Sequence, residues 1–133
     1  MVRPMAKRIT RWSLPIAVAV LAVVPALLAL QSTRAADEEY PSYAEPPLPH
    51  GRDIWLATCK PCHTTDIAGA PQVTDKSAWA PRLAQGKDVL YAHALQGLFG
   101  PKGTEMPARG GNADLSDSDV RAAVDYMVAL VTR

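Results

Sequence analysis

The stretch Cys59-Lys60-Pro61-Cys62-His63 decides how this chain of 133 residues can fold. Two cysteines three positions apart, with a histidine directly after the second, form the C-x-x-C-H pattern that is typical of covalent haem attachment. Two thiols at this spacing at the end of a helix can each bond one carbon of the same porphyrin edge, and the imidazole that follows is then aimed at the iron. The pattern therefore predicts one haem c, attached through Cys59 and Cys62 and ligated by His63.

Three other interpretations of the two cysteines are weaker. A thioredoxin-type redox pair needs a preceding strand and a βαβ frame, and no such pattern is visible. A structural zinc site needs four ligands, and only His50 and His93 remain, without the usual spacing. A disulfide would account for the cysteines but not for the histidine directly after them. Haem attachment explains all three residues at once.

An electron-transfer haem also needs a second axial ligand from the opposite side of the porphyrin. Met106 lies in a polar, glycine-rich loop (residues 102–111), where a packing role is hard to justify, and Pro107 would stiffen the loop. A thioether ligand favours ferrous iron. Met127 falls on the apolar stripe of a predicted helix and is expected to pack in the core. His93, in another predicted helix, is the rival ligand, and the sequence favours Met106.

The N-terminal residues predict export. A basic head precedes an almost entirely apolar stretch from Trp12 to Leu30, and small residues follow at Ala35 and Ala36. This layout is typical of a signal peptide over residues 1–36. The alternative is an uncleaved anchor, because residues 13–30 reach the lower end of a bilayer span of about 17–25 residues. Either way we expect a periplasmic protein, soluble or anchored to the inner membrane.

Charge changes sign after this segment. Five of the 14 basic residues and none of the 13 acidic residues lie before Asp37, so the remainder carries 9 basic and 13 acidic residues, a net charge of −4. A mildly acidic exported domain has no reason to bind nucleic acid. Residues 37–49 are acidic and rich in proline, and they predict an extended linker.

Residues 50–133 are expected to form one all-α domain. Ser116 and Asp119 make a capping pair, and apolar residues then recur at helical spacing to the end of the chain. Further helices are predicted over 52–59 and 88–96, with a short helical piece over 79–84. No segment alternates like a half-buried strand. Such a domain buries little apolar surface, so a haem is expected to fill its core.

With these residues in place, the chain resembles the class I c-type cytochromes, and more narrowly the cytochrome c-five group. The resemblance covers 50–133. It implies a small cytochrome c fold, in which three to five short helices wrap around one covalent haem. The matching stretches are 51–55, Gly69-Ala70-Pro71, the block from Asp75 to Arg82, Gly86-Lys87, Met106-Pro107 and Asp114-Leu115-Ser116.

The resemblance also implies roles for single residues. His63 resembles the proximal ligand and Met106 the distal ligand. Pro71 resembles a proline whose loop supplies a backbone acceptor for the proximal imidazole. Trp79 and Arg82 resemble residues that flank the haem propionates.

Two further positions belong to the helix frame of the family. Gly51 and Trp55 resemble the face of the first helix that crosses the last helix near Ala123 and Tyr126. Some members of the group carry a second C-x-x-C where this chain has Asn112-Ala113-Asp114-Leu115, so that disulfide is absent here.

The function implied is that of a monohaem electron carrier rather than an enzyme. Its partners would be a redox protein that donates electrons and another that accepts them, with membrane association through residues 13–30 if the anchor is retained. Two alternatives remain open. The domain could be the haem subunit of a larger membrane oxidoreductase, or a sensor or enzyme in which the iron binds a small ligand.

Overall fold

The computed structural model describes residues 39–100 and 103–133. The predicted signal peptide or anchor, residues 1–36, lies outside this described part. Residues Ser42–Arg133 form one compact unit. The elements in chain order are α1 (Leu48–Ile54), a π-helical turn (Trp55–Cys59), α2 (Lys60–His63), a 3₁₀ turn (Ile67–Gly69), α3 (Lys76–Leu83), α4 (Lys87–Gln96), β1 (Leu98–Phe99), β2 (Glu105–Met106), a second 3₁₀ turn (Ala108–Gly111) and α5 (Asp117–Thr132).

The mainly helical architecture confirms the predicted fold class. One local difference is the antiparallel pair of β1 and β2, in which Leu98 lies opposite Met106 and Phe99 opposite Glu105. Strands of two residues are too short to show an alternating pattern, so the sequence could not reveal them. None of the helices in the described ranges has the length and apolar character that crossing a membrane requires.

The first helical run is longer than predicted. It extends from Leu48 through the π-helical turn to His63, whereas the sequence predicts a helix over 52–59 only. Pro49 falls in the first turn of α1 and Pro61 in the first turn of α2. Proline is tolerated there because the amide it lacks has no helical partner in any case. Cys59 and Cys62 therefore lie at the end of one long helical run, which begins at Leu48 and ends at His63.

The last helix begins with the predicted cap. The Ser116 hydroxyl accepts a hydrogen bond from the Asp119 amide at 3.2 Å, and the Asp119 carboxylate accepts one from the Ser116 amide at 2.9 Å. Nε2 of His50 lies 2.7 Å from the same carboxylate. These hydrogen bonds satisfy amides that a helix start leaves unpaired, and they join α1 to α5.

Helix α5 buries two faces, whereas the sequence predicts one. The face with Ala122 and Tyr126 packs against α1. A second face lines a large cavity through Val120, Ala123, Val124 and Met127. The apolar stripe predicted by helical spacing (Val120, Ala123, Val124, Met127, Leu130 and Val131) follows mainly the cavity face and does not include Ala122 and Ala129, which are both buried.

Helices α1 and α5 cross closely at Gly51. A Cβ atom on this residue would stand 2.0 Å from the carbonyl oxygen of Ala122 and 3.1 Å from Cβ of Tyr126. One turn further on, the rings of Trp55 and Tyr126 pack with centroids 5.8 Å apart, and both side chains are fully buried. The helix crossing implied by the family resemblance is confirmed.

The predicted linker, residues 37–49, is too long at its C-terminal end. Leu48 is buried, and the Tyr43 ring packs on Tyr126 with centroids 5.8 Å apart. The Arg133 guanidinium lies 4.4 Å from the Tyr43 ring centroid and 3.5 Å from the Glu45 carboxylate. An aromatic ring and a leucine gain by leaving water, so this segment folds onto the last helix despite its prolines.

We expect Gly51→Ala to lower the free energy of unfolding by about 3 kcal/mol, the upper end of the usual cost of overpacking a core. The atom in the way belongs to the backbone of α5 and cannot rotate aside. Denaturant unfolding of the haem-loaded protein measures the change. Gly100→Ala is the control, since its new Cβ would have nothing closer than 3.4 Å. An equal decrease in both variants would contradict the close crossing.

Acid should weaken the start of α5. The hydrogen bonds from His50 and Ser116 lower the pKa of Asp119 from 3.8 to about 2. A lowered pKa stabilises the fold at pH values above the ordinary pKa, and this stabilisation is lost as pH falls through the folded-state value. We therefore expect the parent to be more stable than Asp119→Asn at pH 7 and most of the difference to be lost between about pH 4 and pH 2. Unfolding midpoints measured from pH 7 to pH 2 provide the test, and a difference as large at pH 2 as at pH 7 would refute it.

Candidate functional site

The attachment segment places two thiols on the wall of one cavity. Cys59 and Cys62 are half-buried, are not joined in a disulfide and both line this cavity. Burial raises the pKa of the Cys59 thiol to about 11, and Cys62 adds to the rise. Catalytic redox cysteines have a lowered pKa instead, because they react as thiolates. The environment of Cys59 therefore argues against a thioredoxin-type function.

His63 is buried and held in one orientation. Its Nδ1 atom lies 2.9 Å from the carbonyl oxygen of Pro71. A carbonyl can only accept, so Nδ1 carries the proton and Nε2 of the neutral ring keeps its lone pair for another partner. Burial lowers the pKa of His63, and the Arg82 charge lowers it further against the opposing effect of the Pro71 hydrogen bond. The neutral ring is the form that binds a metal.

The loop that supplies this acceptor is fastened at three neighbouring residues. Besides the bond to Pro71, the Val73 amide donates to the carbonyl of His63 at 2.9 Å. The indole N–H of Trp79 donates to the carbonyl of Gln72, also at 2.9 Å. Residues 71–73 are therefore held against both α3 and the helical run that carries Cys59, Cys62 and His63, which we call the attachment helix.

The cavity has a volume of about 940 Å³ and is bounded by the attachment helix, the 64–75 loop, α3, α4, the β1–β2 hairpin and α5. This volume falls at the upper end of the range of about 300–1,000 Å³ for cofactor and ligand sites. Its wall brings together the two thiols, the imidazole of His63 and the thioether of Met106. Two thiols, a neutral imidazole and a thioether in one large cavity are the donor set that a covalent haem requires, so the residues present fit that group.

Met106 reaches this wall from β2. It is half-buried, and it is placed by two contacts of the backbone. Leu98 pairs with it across the strands. Gly97, with φ of +85°, allows the end of α4 to approach so closely that a Cβ there would stand 2.9 Å from the Met106 carbonyl oxygen. His93 and Met127 line the same cavity, so the rival ligand predicted from sequence also lies within the site.

Trp79 and Arg82 both line the cavity, but they differ in burial and in the hydrogen-bond donors that they have left. The Trp79 ring is buried, with its centroid 6.2 Å from that of His63. Its single N–H is already donated to Gln72 and is not available to a propionate. Arg82 donates from one guanidinium nitrogen to the carbonyl of Ala78 and retains other donors. The geometry favours Arg82 as the partner of an anionic group and a packing role for Trp79.

Within residues 39–100 and 103–133, no group of three or more histidine, cysteine or acidic side chains converges as a metal site would require.

The chain matches a known protein family over most of its described length. The family model described as "Cytochrome C oxidase, cbb3-type, subunit III" matches residues 46–127. Cytochrome c-555 of Chlorobaculum tepidum is 51% identical over 78 residues, which cover 59% of this chain and 71% of that protein. Cytochrome c5 of Azotobacter vinelandii is 38% identical over 82 residues, which cover 60% of this chain and 93% of that protein.

A solved structure is also similar. It is a chain from the crystal structure of an electron transfer complex of nitrite reductase with cytochrome c. The two chains are 43% identical, with a TM-score of 0.55, and the match covers 62% of this chain and 95% of that one.

Replacing the indole by a ring without an N–H separates the two roles of Trp79. We expect Trp79→Phe to lower the free energy of unfolding by about 1 kcal/mol, the usual net contribution of one hydrogen bond. The midpoint potential of the haem should change little. In contrast, Arg82→Gln should lower that potential, because it removes a positive charge that opposes oxidation. A larger shift of potential in Trp79→Phe than in Arg82→Gln would show that the indole serves the haem directly.

Proposed function

This chain belongs to the class I c-type cytochromes of the c5 type, and we propose that it carries single electrons in the periplasm at one haem bound between His63 and Met106. It is a monohaem electron carrier, as its relatives are, and its cofactor is haem c. The proposal extends this function to the two axial ligands, the location and the kind of partner.

The observation that supports the ligand assignment is the hydrogen bond from Nδ1 of His63 to Pro71. Because Nδ1 carries the proton, Nε2 of the neutral ring keeps a lone pair that can bind a metal. The ring lies in the same cavity as both attachment thiols and Met106. A hydrogen bond to the second nitrogen is the usual way in which a protein orients a metal-binding histidine. Cys59 and Cys62 would hold the haem covalently, and His63 and Met106 would supply the ligands of its iron.

When bound, the haem supplies the one-electron exchange between ferrous and ferric iron. The residues of the chain orient it and adjust its potential. The Pro71 carbonyl strengthens the donor character of His63, and a thioether ligand favours the reduced state. Burial by Val120, Ala123 and Met127 keeps water from the site, and Arg82 offers its positive charge to an anionic edge.

The partners proposed are redox proteins that bind weakly and briefly, since a carrier must leave one to reach the other. The similar solved chain comes from an electron transfer complex of nitrite reductase with cytochrome c. No particular donor or acceptor is transferred from it to this chain.

A second candidate is a haem subunit of a larger membrane oxidoreductase. The matching family model is described as a subunit of a cbb3-type oxidase, which favours it. In both cases we propose residues 1–36 as the signal peptide or anchor, residues 37–49 as a linker whose last residues fold onto α5, and residues 50–133 as the cytochrome domain. N-terminal sequencing of the exported protein separates the candidates, because cleavage near Ala35 supports the free carrier and a retained N-terminus supports the subunit.

The ligand assignment predicts the behaviour of Met106→Ala. The parent should show sharp ferrous bands of a c-type haem and the weak far-red band of ferric haem bound by a methionine sulfur. The variant should lose the far-red band and bind carbon monoxide in the ferrous state, because one axial position becomes open. Met127→Leu, which changes a buried methionine on the same cavity wall, should keep the band. An unchanged spectrum in Met106→Ala would assign the distal position to another residue, with His93 the first to test. A parent that already binds carbon monoxide would favour a small-ligand sensor or enzyme.

A further inference from the structure

The turn that follows Met106 has an unfavourable backbone conformation at one residue. Met106 and Pro107 lead into the second 3₁₀ turn, in which Arg109, Gly110 and Gly111 have φ of +56°, +65° and +84°. Glycine adopts such angles without a steric penalty, whereas the Cβ atom of Arg109 makes them unfavourable. A residue other than glycine keeps this conformation only where the surrounding structure holds it. Contacts of the folded chain must therefore hold Arg109 in place.

The side chain of Arg109 supplies these contacts. One guanidinium nitrogen donates to the carbonyl of Leu115 at 2.8 Å, and another pairs with the Asp117 carboxylate at 2.6 Å. Both acceptors belong to the start of α5, because Leu115 directly precedes the Ser116 cap and Asp117 is the first residue of the helix. A planar guanidinium that donates from two nitrogens is fixed in orientation as well as in position. The turn after Met106 is thus fastened to α5.

The backbone of the same segment packs closely against two other helices. A Cβ atom on Gly110 would stand 2.8 Å from Cγ2 of Thr58, which lies on the attachment helix. A Cβ atom on Gly97, at the end of α4, would stand 2.9 Å from the carbonyl oxygen of Met106 and 3.0 Å from the amide nitrogen of Ala108. The segment that begins at Met106 therefore lies between the attachment helix, α4 and α5.

These contacts restrain the segment in different directions. Close packing against Thr58 and Gly97 prevents a nearer approach, but each atomic contact contributes little attraction when the segment moves away. The hydrogen bonds of Arg109 oppose such a movement, because withdrawal would separate a charged group from both of its acceptors.

We propose that Arg109 is a positioning residue for Met106, and that its bonds to Leu115 and Asp117 keep the thioether at the distal position and so exclude small molecules from the iron. The inference rests on the proposed function. It names the residue that keeps the site an electron-transfer site rather than a ligand-binding one. Arg109 acts through the backbone that joins it to Met106 and needs no contact with the haem.

Imidazole is a suitable probe, because it is a small ligand of ferric haem that can bind only when Met106 leaves. The haem-loaded full chain is titrated with imidazole, and loss of the far-red band reports binding. The apparent affinity is proportional to the fraction of protein in which the distal position is open. A hydrogen bond to a charged group is strong enough to change an equilibrium about tenfold, so we expect Arg109→Gln to bind imidazole about tenfold more tightly than the parent.

The matched control is Arg133→Gln. The guanidinium of Arg133 also lies near a carboxylate, 3.5 Å from that of Glu45, but Arg133 does not line the cavity. Arg133→Gln therefore removes the same charge and an ion pair of the same kind, and it should bind imidazole as the parent does. Equal affinities in Arg109→Gln and Arg133→Gln would overturn the proposal.

Two further variants separate the hydrogen bonds of Arg109 from its charge. Arg109→Lys keeps the charge but lacks the planar fork that reaches both acceptors, so we expect its affinity for imidazole to rise as well. An affinity equal to that of the parent would show that the charge alone matters, and the proposed role would be wrong. Asp117→Asn keeps the bond to Leu115 and removes only a partner whose side chain is 66% exposed, so its effect should be smaller than that of Arg109→Gln.

Unfolding in denaturant distinguishes local positioning from a general loss of stability. We expect the free energy of unfolding of Arg109→Gln to fall by less than the free energy that corresponds to its gain in imidazole affinity. An equal or larger fall would mean that Arg109 stabilises the whole domain, and the positioning role would be refuted. If Arg109→Gln does not fold, Arg109→Lys takes its place in every comparison. Failure of the proposed function is distinct, because the parent itself would then lack the far-red band.

Discussion

The hydrogen bond between His63 and Pro71 is the interaction on which the rest of the site depends. It joins the attachment helix to a loop that would otherwise be free to move, and it determines which imidazole nitrogen carries the proton. The Val73 amide returns a hydrogen bond to the His63 carbonyl, so the contact runs in both directions. Trp79 then holds the intervening residue, Gln72, from the side of α3. Three hydrogen bonds thus hold the His63 imidazole and the neighbouring loop in place.

A second constraint acts on α5, which must pack against α1 and also form a wall of the cavity. The two tasks require different side chains. Small residues such as Ala122 face Gly51, where the backbones nearly touch, while Val120, Val124 and Met127 face the cavity. Because α5 has two apolar faces, it can pack against α1 and form a wall of the cavity at the same time. A domain of this size can therefore enclose a large group. The close crossing at Gly51 fixes the position of α5 relative to α1. Because α5 forms one wall of the cavity and α1 continues into the helical run that carries the attachment cysteines, the crossing also fixes this wall relative to the attachment helix.

Much of this arrangement could be predicted from the sequence, and the reasons for success and failure differ by residue. The C-x-x-C-H pattern and the Ser116–Asp119 cap are local, and local chemistry is visible in a sequence. The predicted start of α1 is too late because Leu48 is buried and the Tyr43 ring packs on Tyr126 of α5, and a proline-rich composition conceals such tertiary contacts. That Trp79 donates its N–H to a carbonyl seven residues earlier could not be predicted, because only the folded backbone brings the two groups together. The two-residue strands that carry Leu98 and Met106 left no periodic signal at all.

The two sides of the site are built differently. His63 lies on a helix and is fixed by the hydrogen bonds around Pro71, whereas Met106 depends on a short hairpin held by Gly97 and by the bond between Thr104 and Ala68. The same hairpin carries Leu98, which pairs with Met106 across the strands. The imidazole of His63 is therefore oriented by a hydrogen bond of its own side chain, whereas Met106 is positioned through contacts of its backbone.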